Sequence, residues 1–268
     1  MRPLFQRKGA MSIPRLYLDQ PLEAGREVPA TSGQAHYLGS VMRRGPGDAV
    51  LLFNGRDGEW EGRIAAIRRD RCTLAPERQA RPQVPQADTR LLVAALKRDA
   101  MEWVVEKATE LGIGLIQPVL TRRSVADRVN TTRLAAIAQE AAEQCERLGL
   151  PKVEPARPLP AVLDAWDGIP LLVGAERRKS PSLGRVAQGM HAPWAWLVGP
   201  EGGFERVELD DLARRAFVST ASLGPRILRA ETAAVTGLAL LQALAGDWDD
   251  QPISTDDGAL GNSARAGT

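Results

Sequence analysis

The rhythm of hydrophobic and polar positions changes about a third of the way along the chain. In the first part, apolar runs are short and strand-like, at Arg15–Leu18, Ala49–Phe53 and Arg71–Ala75. From Glu59 to Arg68 the sequence alternates, with Trp60, Gly62, Ile64 and Ala66 on one face and Glu61, Arg63 and Ala65 on the other. That two-residue period predicts a half-buried strand. Asn54-Gly55-Arg56-Asp57-Gly58 is a turn signal between two of these runs. Thr31 and Ser32 can cap a short helix carrying Tyr37, Leu38 and Val41. Short strands, glycine turns and one small helix predict a compact β-barrel over residues 15–77.

Residues 78–88 contain Pro82 and Pro85 and little that is apolar, and read as a linker. Beyond them strands alternate with helices. Leu91–Leu96 is a continuous apolar run, as expected of a strand buried on both faces. Asp99 is expected to cap a helix with Met101, Val104, Val105, Ala108 and Leu111 at helical spacing, closed by Gly112. Leu115–Leu120 predicts a strand, and Thr132–Leu148 a helix ended by Gly149 and Pro151. Strands follow at Leu171–Val173, Trp196–Val198 and Phe217–Ala221, then a helix at Ala230–Leu244 that is apolar nearly all round. The alternation predicts an α/β layer with a largely parallel sheet over residues 89–250. Residues 1–14 read as an extension ahead of the barrel, without the apolar stretch of a secretory signal. Residues 251–268, rich in Gly, Ser, Asp and Ala, read as a disordered tail.

Composition removes several kinds of chemistry. No apolar run approaches the roughly 18 residues of a membrane span, so no membrane association is expected. Cys72 and Cys145 lack metal-ligand or redox spacing, and the only histidines are His36 and His191. No metal is expected, and a reducing cytoplasm suits the cysteine usage. Catalysis must then run on Arg, Glu, Asp, Ser, Thr or backbone groups. Formal charge is +2 overall but uneven: +5 over residues 1–87, −2 over 88–250 and −1 over the last 18. Of the 35 cations 30 are Arg, whose planar fork grips phosphate and stacks on bases. A basic barrel on a near-neutral body fits a nucleic-acid-gripping module, as it also fits a solvated basic face. Arg43, Arg44 and Arg63 are the candidate phosphate contacts.

Three loops follow predicted strands. Gly199-Pro200-Glu201-Gly202-Gly203-Phe204 leaves a strand and opens a helix, and its glycines permit close backbone approach to a ligand. Open α/β sheets bind ligands at that edge. Glu201 could meet a ligand ammonium or sulfonium. Ser222-Leu223-Gly224-Pro225-Arg226-Ile227-Leu228-Arg229 carries apolar residues that suit the walls of a purine pocket, and Arg229 lies beside Glu231 at a helix entrance. Gly174-Ala175-Glu176 ends a third strand. The stretch from Gly174 to Ser180 lacks the glycine before its lysine that a phosphate loop needs.

GPEGGF followed by SLGPRILRAETA resembles the SPOUT methyltransferases, and more narrowly the bacterial 16S rRNA (uracil-N3)-methyltransferase family. Lys97–Glu102, Glu106–Gly112 with Gln117-Pro118, and Glu140–Cys145 are also family-like, in family order from about Arg15 to Trp248. One departure is Arg122 in Thr121-Arg122-Arg123-Ser124, where the family tends to carry an acid before Arg-Ser. The resemblance implies a PUA-like barrel, a trefoil-knot methyltransferase domain, S-adenosyl-L-methionine as methyl donor, and a homodimer acting on the 16S rRNA of the small ribosomal subunit. It assigns donor binding to Leu172, Val173 and Gly174, to Gly199, Pro200, Glu201 and Gly202, and to Leu223, Gly224, Ile227 and Leu228. Gly202→Val is the substitution expected to crowd that site. Arg229 would stabilise the uracil anion or orient RNA, with Glu201 and Glu231 as proton acceptors or as its holders. Ribose 2′-O methylation by the same fold, and a non-catalytic RNA-binding assembly factor, are the alternatives.

Overall fold

Strand β1 (Arg15–Tyr17) pairs parallel with β3 (Ala49–Phe53) in the computed structural model, which describes residues 13–126, 128–175 and 179–249. The tail expected at residues 251–268, and all but the end of the expected extension, lie outside the described residues. The chain divides into two compact units, one running to Val84 and the other starting at Pro85. In the first unit, β1 is followed by β2 (Val28–Pro29), α1 (Ser32–His36), a π-helical turn (Tyr37–Val41), β3, β4 (Glu59–Arg68) and β5 (Arg71–Arg81). The five strands form a curled sheet in the order β1-β3-β4-β5-β2. Its core is Leu16, Leu38, Leu52, Ile64 and Leu74. Thr31 and Gln34 cap α1 reciprocally, side chain to backbone in both directions. The expected alternation is present at Gly62 and Ile64, both buried, but a register shift between Ile64 and Ala66 leaves Ala66 exposed.

Strand β5 is longer than Arg71–Ala75. It runs through Arg81 and takes the first four residues of the expected linker. The physical reason is a buried carboxylate. Glu59, 1% exposed, accepts from Arg15 Nε at 2.6 Å and from Arg81 Nε at 2.8 Å. The Arg15 guanidinium also lies 3.8 Å over the Phe53 ring. A buried charge must be paired, so β5 continues until Arg81 stands opposite Glu59 in register. Pro76 is accommodated at a register shift between Glu61 and Gly62.

The second unit runs β6 (Thr89–Ala94), α2 (Arg98–Glu110), β7 (Leu115–Leu120), α3 (Thr131–Gln144), β8 (Lys152–Val153), β9 (Arg157–Pro158), α4 (Leu159–Asp164), β10 (Leu171–Gly174), α5 (Leu183–Val186), β11 (Trp194–Val198), α6 (Arg206–Arg214), β12 (Val218–Ala221) and α7 (Ala230–Ala245). The sheet order is β12-β10-β11-β6-β7-β8, with β9 also on β7, and every pairing is parallel. Alternate residues of the central strands enter two cores. Leu91, Val93, Leu172, Trp194, Trp196 and Val198 face residues of α2, α3 and α7. Leu92, Leu171, Val173, Ala195 and Leu197 face α4 and α6. This is the α/β class expected behind the N-terminal barrel. Two helix limits differ from expectation. Lys97, not Asp99, is the N-cap of α2, and Asp99 sits in its first turn. Helix α3 stops at Gln144, because Glu146 turns left-handed at φ 63° and Arg147 donates to the carbonyls of Thr109 and Ile113.

After β10 and β11, the chain carries β12 to the sheet edge and returns α7 to the middle, against β11, α2 and α5. Two indoles hold it there. Trp196 Nε1 donates to the Ala233 carbonyl at 3.3 Å and Trp194 Nε1 to the Ala245 carbonyl at 3.1 Å. Gly237 leaves room for the first ring, since a Cβ there would stand 2.2 Å from Trp196 Cε2. Gly237→Ala should therefore lower stability by about 1–3 kcal/mol through overpacking, read as a lower urea midpoint. An unchanged midpoint would mean that the indole can yield freely.

Candidate functional site

Because β10, β11 and β12 are parallel, their following loops emerge at one sheet edge. The three loops meet around a cavity of about 380 Å³. Its lining includes Gly174 and Ala175 from the first loop, Gly199, Gly202, Gly203 and Phe204 from the second, and Ser222, Leu223, Gly224 and Leu228 from the third. Ala233 closes the floor from α7, and its carbonyl is the one that Trp196 holds. Local chemistry explains each loop's shape. Gly203, at φ 67°, donates to the Pro200 carbonyl at 2.8 Å and makes a tight turn only glycine adopts without strain. Gly224, at φ 106°, donates to Ser222 Oγ at 3.1 Å.

Of the residues assigned to donor binding, Gly174, Gly199, Gly202, Leu223, Gly224 and Leu228 line this cavity. Leu172 and Val173 do not, because their side chains are spent on the two cores. Pro200 is buried beside the cavity, Glu201 is exposed, and Ile227 is 67% exposed. Arg229 is the N-cap of α7, with its side chain 85% exposed and 3.9 Å from Glu231. Neither Arg229, Glu201 nor Glu231 belongs to the lining. A Cβ at Gly202 would touch only Arg123, at 3.4 Å, whereas one at Gly199 would stand 3.0 Å from the Phe204 ring.

The lining holds three guanidiniums that sequence reasoning passed over: Arg123, Arg206 and Arg226. Among the described residues it holds no carboxylate. Arg123 enters from the loop after β7, where its Nη1 donates to the Gly202 carbonyl at 3.0 Å. Arg122 and Arg123 both approach Glu205, at 3.6 and 3.7 Å. Glu205 in turn caps α6 in a reciprocal arrangement with Glu208, which also accepts from the Arg122 backbone N–H at 2.9 Å. Arg122 thus meets two acids at the start of α6. The only advance signal for Arg123 was its place in the 121–124 stretch, noticed for its neighbour.

In the barrel unit, Arg43 is exposed at φ 53° and Arg44 is half-buried next to it. Arg63 reaches the same turn, donating to the Gly47 carbonyl at 3.0 Å while pairing with Glu77 at 3.2 Å. Tyr37 and Val41 beside them are 40% and 60% exposed. Among the described residues no three His, Cys, Asp or Glu side chains gather as a metal site, and no helix is long and apolar enough to cross a membrane.

Known proteins sharpen the picture. Residues 82–242 match a family model described as an RNA methyltransferase domain, and residues 31–77 one described as an RNA methyltransferase PUA domain. The chain is 32% identical over 242 residues to ribosomal RNA small subunit methyltransferase E of Rickettsia conorii, covering 90% of this chain and 99% of that protein. It is 26% identical over 249 residues to the Bacillus subtilis protein of the same name, covering 85% and 96%. Among solved structures, ribosomal RNA small subunit methyltransferase E from Neisseria gonorrhoeae, bound to S-adenosyl methionine, superposes with a TM-score of 0.80. It is 28% identical, over 88% of this chain and all of that one.

The contacts of Arg123 make a local prediction. Arg123→Ala removes the donor to Gly202 and one cation facing Glu205. Amide exchange at residues 202–204 should quicken, while the thermal midpoint stays within about 0.5 kcal/mol equivalent of wild type, as for an exposed ion pair. Unaltered exchange would show that the loop holds its own shape.

Proposed function

The chain belongs to the ribosomal RNA small subunit methyltransferase E family, and we propose that it transfers a methyl group from S-adenosylmethionine to N3 of a uridine in the 16S RNA of the small ribosomal subunit. Its catalytic domain is of the trefoil-knot SPOUT kind, preceded by a PUA-like barrel. The observation that carries the reading is the cavity built from three glycine-bearing loops at one sheet edge. Its lining fits the donor. Gly174, Gly199 and Gly224 expose backbone edges for hydrogen bonds, Leu223 and Leu228 offer apolar faces to an adenine, and an arginine can pair with the donor's carboxylate.

The donor supplies a methyl group made electrophilic by its sulfonium. The chain's own residues do the rest. N3 lies on the Watson–Crick edge, so the base must leave any stack to reach the cavity. Losing the N3 proton leaves an anion shared with the flanking carbonyl oxygens. Arg229, exposed at the N-cap of α7, meets that charge, and Arg123 and Arg226 in the wall add to the positive field. Glu231 orients Arg229. With no carboxylate among the described lining residues, the proton leaves to water at the open side, and exposed Glu201 is the alternative acceptor. The barrel grips flanking RNA through Arg43, Arg44 and Arg63. Two free thiols, Cys72 and Cys145, support a cytoplasmic setting.

The test is nucleoside analysis of small-subunit RNA after incubation with protein and donor. 3-Methyluridine is expected. 2′-O-Methyluridine would assign the sister reaction, and no product would leave an assembly factor. Gly199→Val should weaken donor binding by roughly tenfold, about 1.4 kcal/mol, in calorimetry. Equal binding would displace the donor from this cavity.

The exposed face of α7 supports a homodimer. Leu238 and Leu241 are fully buried against the sheet, while Leu240 and Leu244, one turn apart, are 38% and 45% exposed. These two, rather than Leu238 or Leu241, form the outward stripe that a second copy would cover. In a two-fold interface each contact occurs twice, so Leu240→Asp buries two charges. Light scattering should show wild-type dimers at micromolar concentration and inactive monomer for the variant. An active wild-type monomer would refute the dimer.

A further inference from the structure

A second cavity, of about 350 Å³, opens where β6 and β7 end. Leu96, Met101 and Leu134 form its back wall, and Arg98, Arg128 and Arg133 stand around it. One acid lies among them. Glu102 accepts from Arg98 Nε at 2.8 Å and from Arg133 Nε and Nη2, both at 3.1 Å. These guanidiniums hold its carboxyl down at about 2, Arg133 contributing most, so Glu102 stays charged at any working pH. Among the described residues of the lining, three cations stand against one anion. The carboxylate fixes two of the forks in place, and Arg128 makes no ion pair among the described residues. Helix α2 begins at the same cavity, and its N-cap, Lys97, provides no side-chain cap.

That chemistry selects an anion with several acceptor oxygens. Guanidinium forks match phosphate geometry, and two are already oriented, so less freedom is lost on binding. The position narrows the source. The loop from β7 to α3 brings Arg123 to the three-loop cavity and Ala126, Arg128 and Asn130 to this one. Arg123 and Ala126 are three residues apart, so their Cα atoms lie within about 11 Å. A strand whose target base enters one cavity carries its flanking phosphates past the other. We propose that the Arg98–Arg128–Arg133 cavity is a phosphodiester subsite for the RNA next to the methylated nucleotide. The assignment rests on the methyltransferase reading above, but it concerns grip rather than chemistry.

The experiment reads RNA binding, donor binding and methyl transfer separately, on the full chain. A fluorescent uridine-containing single-stranded RNA is titrated by anisotropy between about 50 and 200 mM salt. Arg128→Ala should weaken binding roughly threefold or more and lower the log–log salt slope by about 0.7, the value of one single-strand phosphate contact. Arg128→Lys should recover most of the slope. S-adenosylmethionine affinity should stay at wild-type level in both variants, which also shows that they fold. RNA affinity and slope unchanged in Arg128→Ala would overturn the subsite. So would calorimetric binding of inorganic phosphate that Arg128→Ala abolishes while RNA binding is untouched, since the cavity would then serve a free phosphate. A wild type that shows the Arg128 effect but makes no methylated nucleoside would support the subsite and sink the methyltransferase reading.

Discussion

Everything at the three-loop edge depends on where two indoles hold the last helix. Trp194 and Trp196 stand on one face of β11 and donate to carbonyls near the two ends of α7. A buried indole N–H without an acceptor costs about as much as a lost hydrogen bond, so α7 has a preferred height on the sheet. Gly237 on the helix and Gly174 on β10 both make room for the Trp196 ring, since a Cβ at either would stand 2.2 or 3.2 Å from it. Ala233 and Gly174 are also walls of the cavity. The same ring thus spaces the floor of the site from its first loop. Packing and function share one contact, and the third loop, which joins β12 to α7, hangs from it.

Charge is arranged by a different logic in each place. In the barrel, Glu59 and its two arginines are sealed from water, and their worth lies in specificity of pairing. At the glycine loop, Arg122 and Arg123 reach Glu205 across longer, wetter gaps. Such contacts are weak and screened by salt. Glu205 and Glu208 also explain why a basic residue is tolerated at 122, where the family tends to carry an acid.

Much of this was legible in the sequence because backbone rules govern it. Strand β3 and the start of α7 follow from apolar runs and breakers, and the glycine loops announce themselves by residue type. What was hidden depended on distance along the chain. Arg123 meets Gly202 from 79 positions away, and no local pattern encodes that. Nothing local marks Glu59 as buried, yet it is 1% exposed, since only the fold supplies its partners. Leu172 and Val173 share a strand with Gly174, but periodicity sends their side chains to opposite cores. The cavity lining begins one residue later, at Gly174.

The buried carboxylate of Glu59 has a consequence for synthesis. Its first arginine lies 44 residues upstream and its second 22 residues downstream. While the nascent chain lengthens, the strands from β1 to β4 can leave the ribosome with Glu59 only half neutralised. The second partner arrives when Arg81 emerges, almost at the end of the first unit. At about 5–20 residues per second the wait from Glu59 to Arg81 lasts a second or more. A half-paired acid disfavours premature closure around a dry core. The barrel is thereby timed to shut after its last strand, before most of the methyltransferase domain has been made.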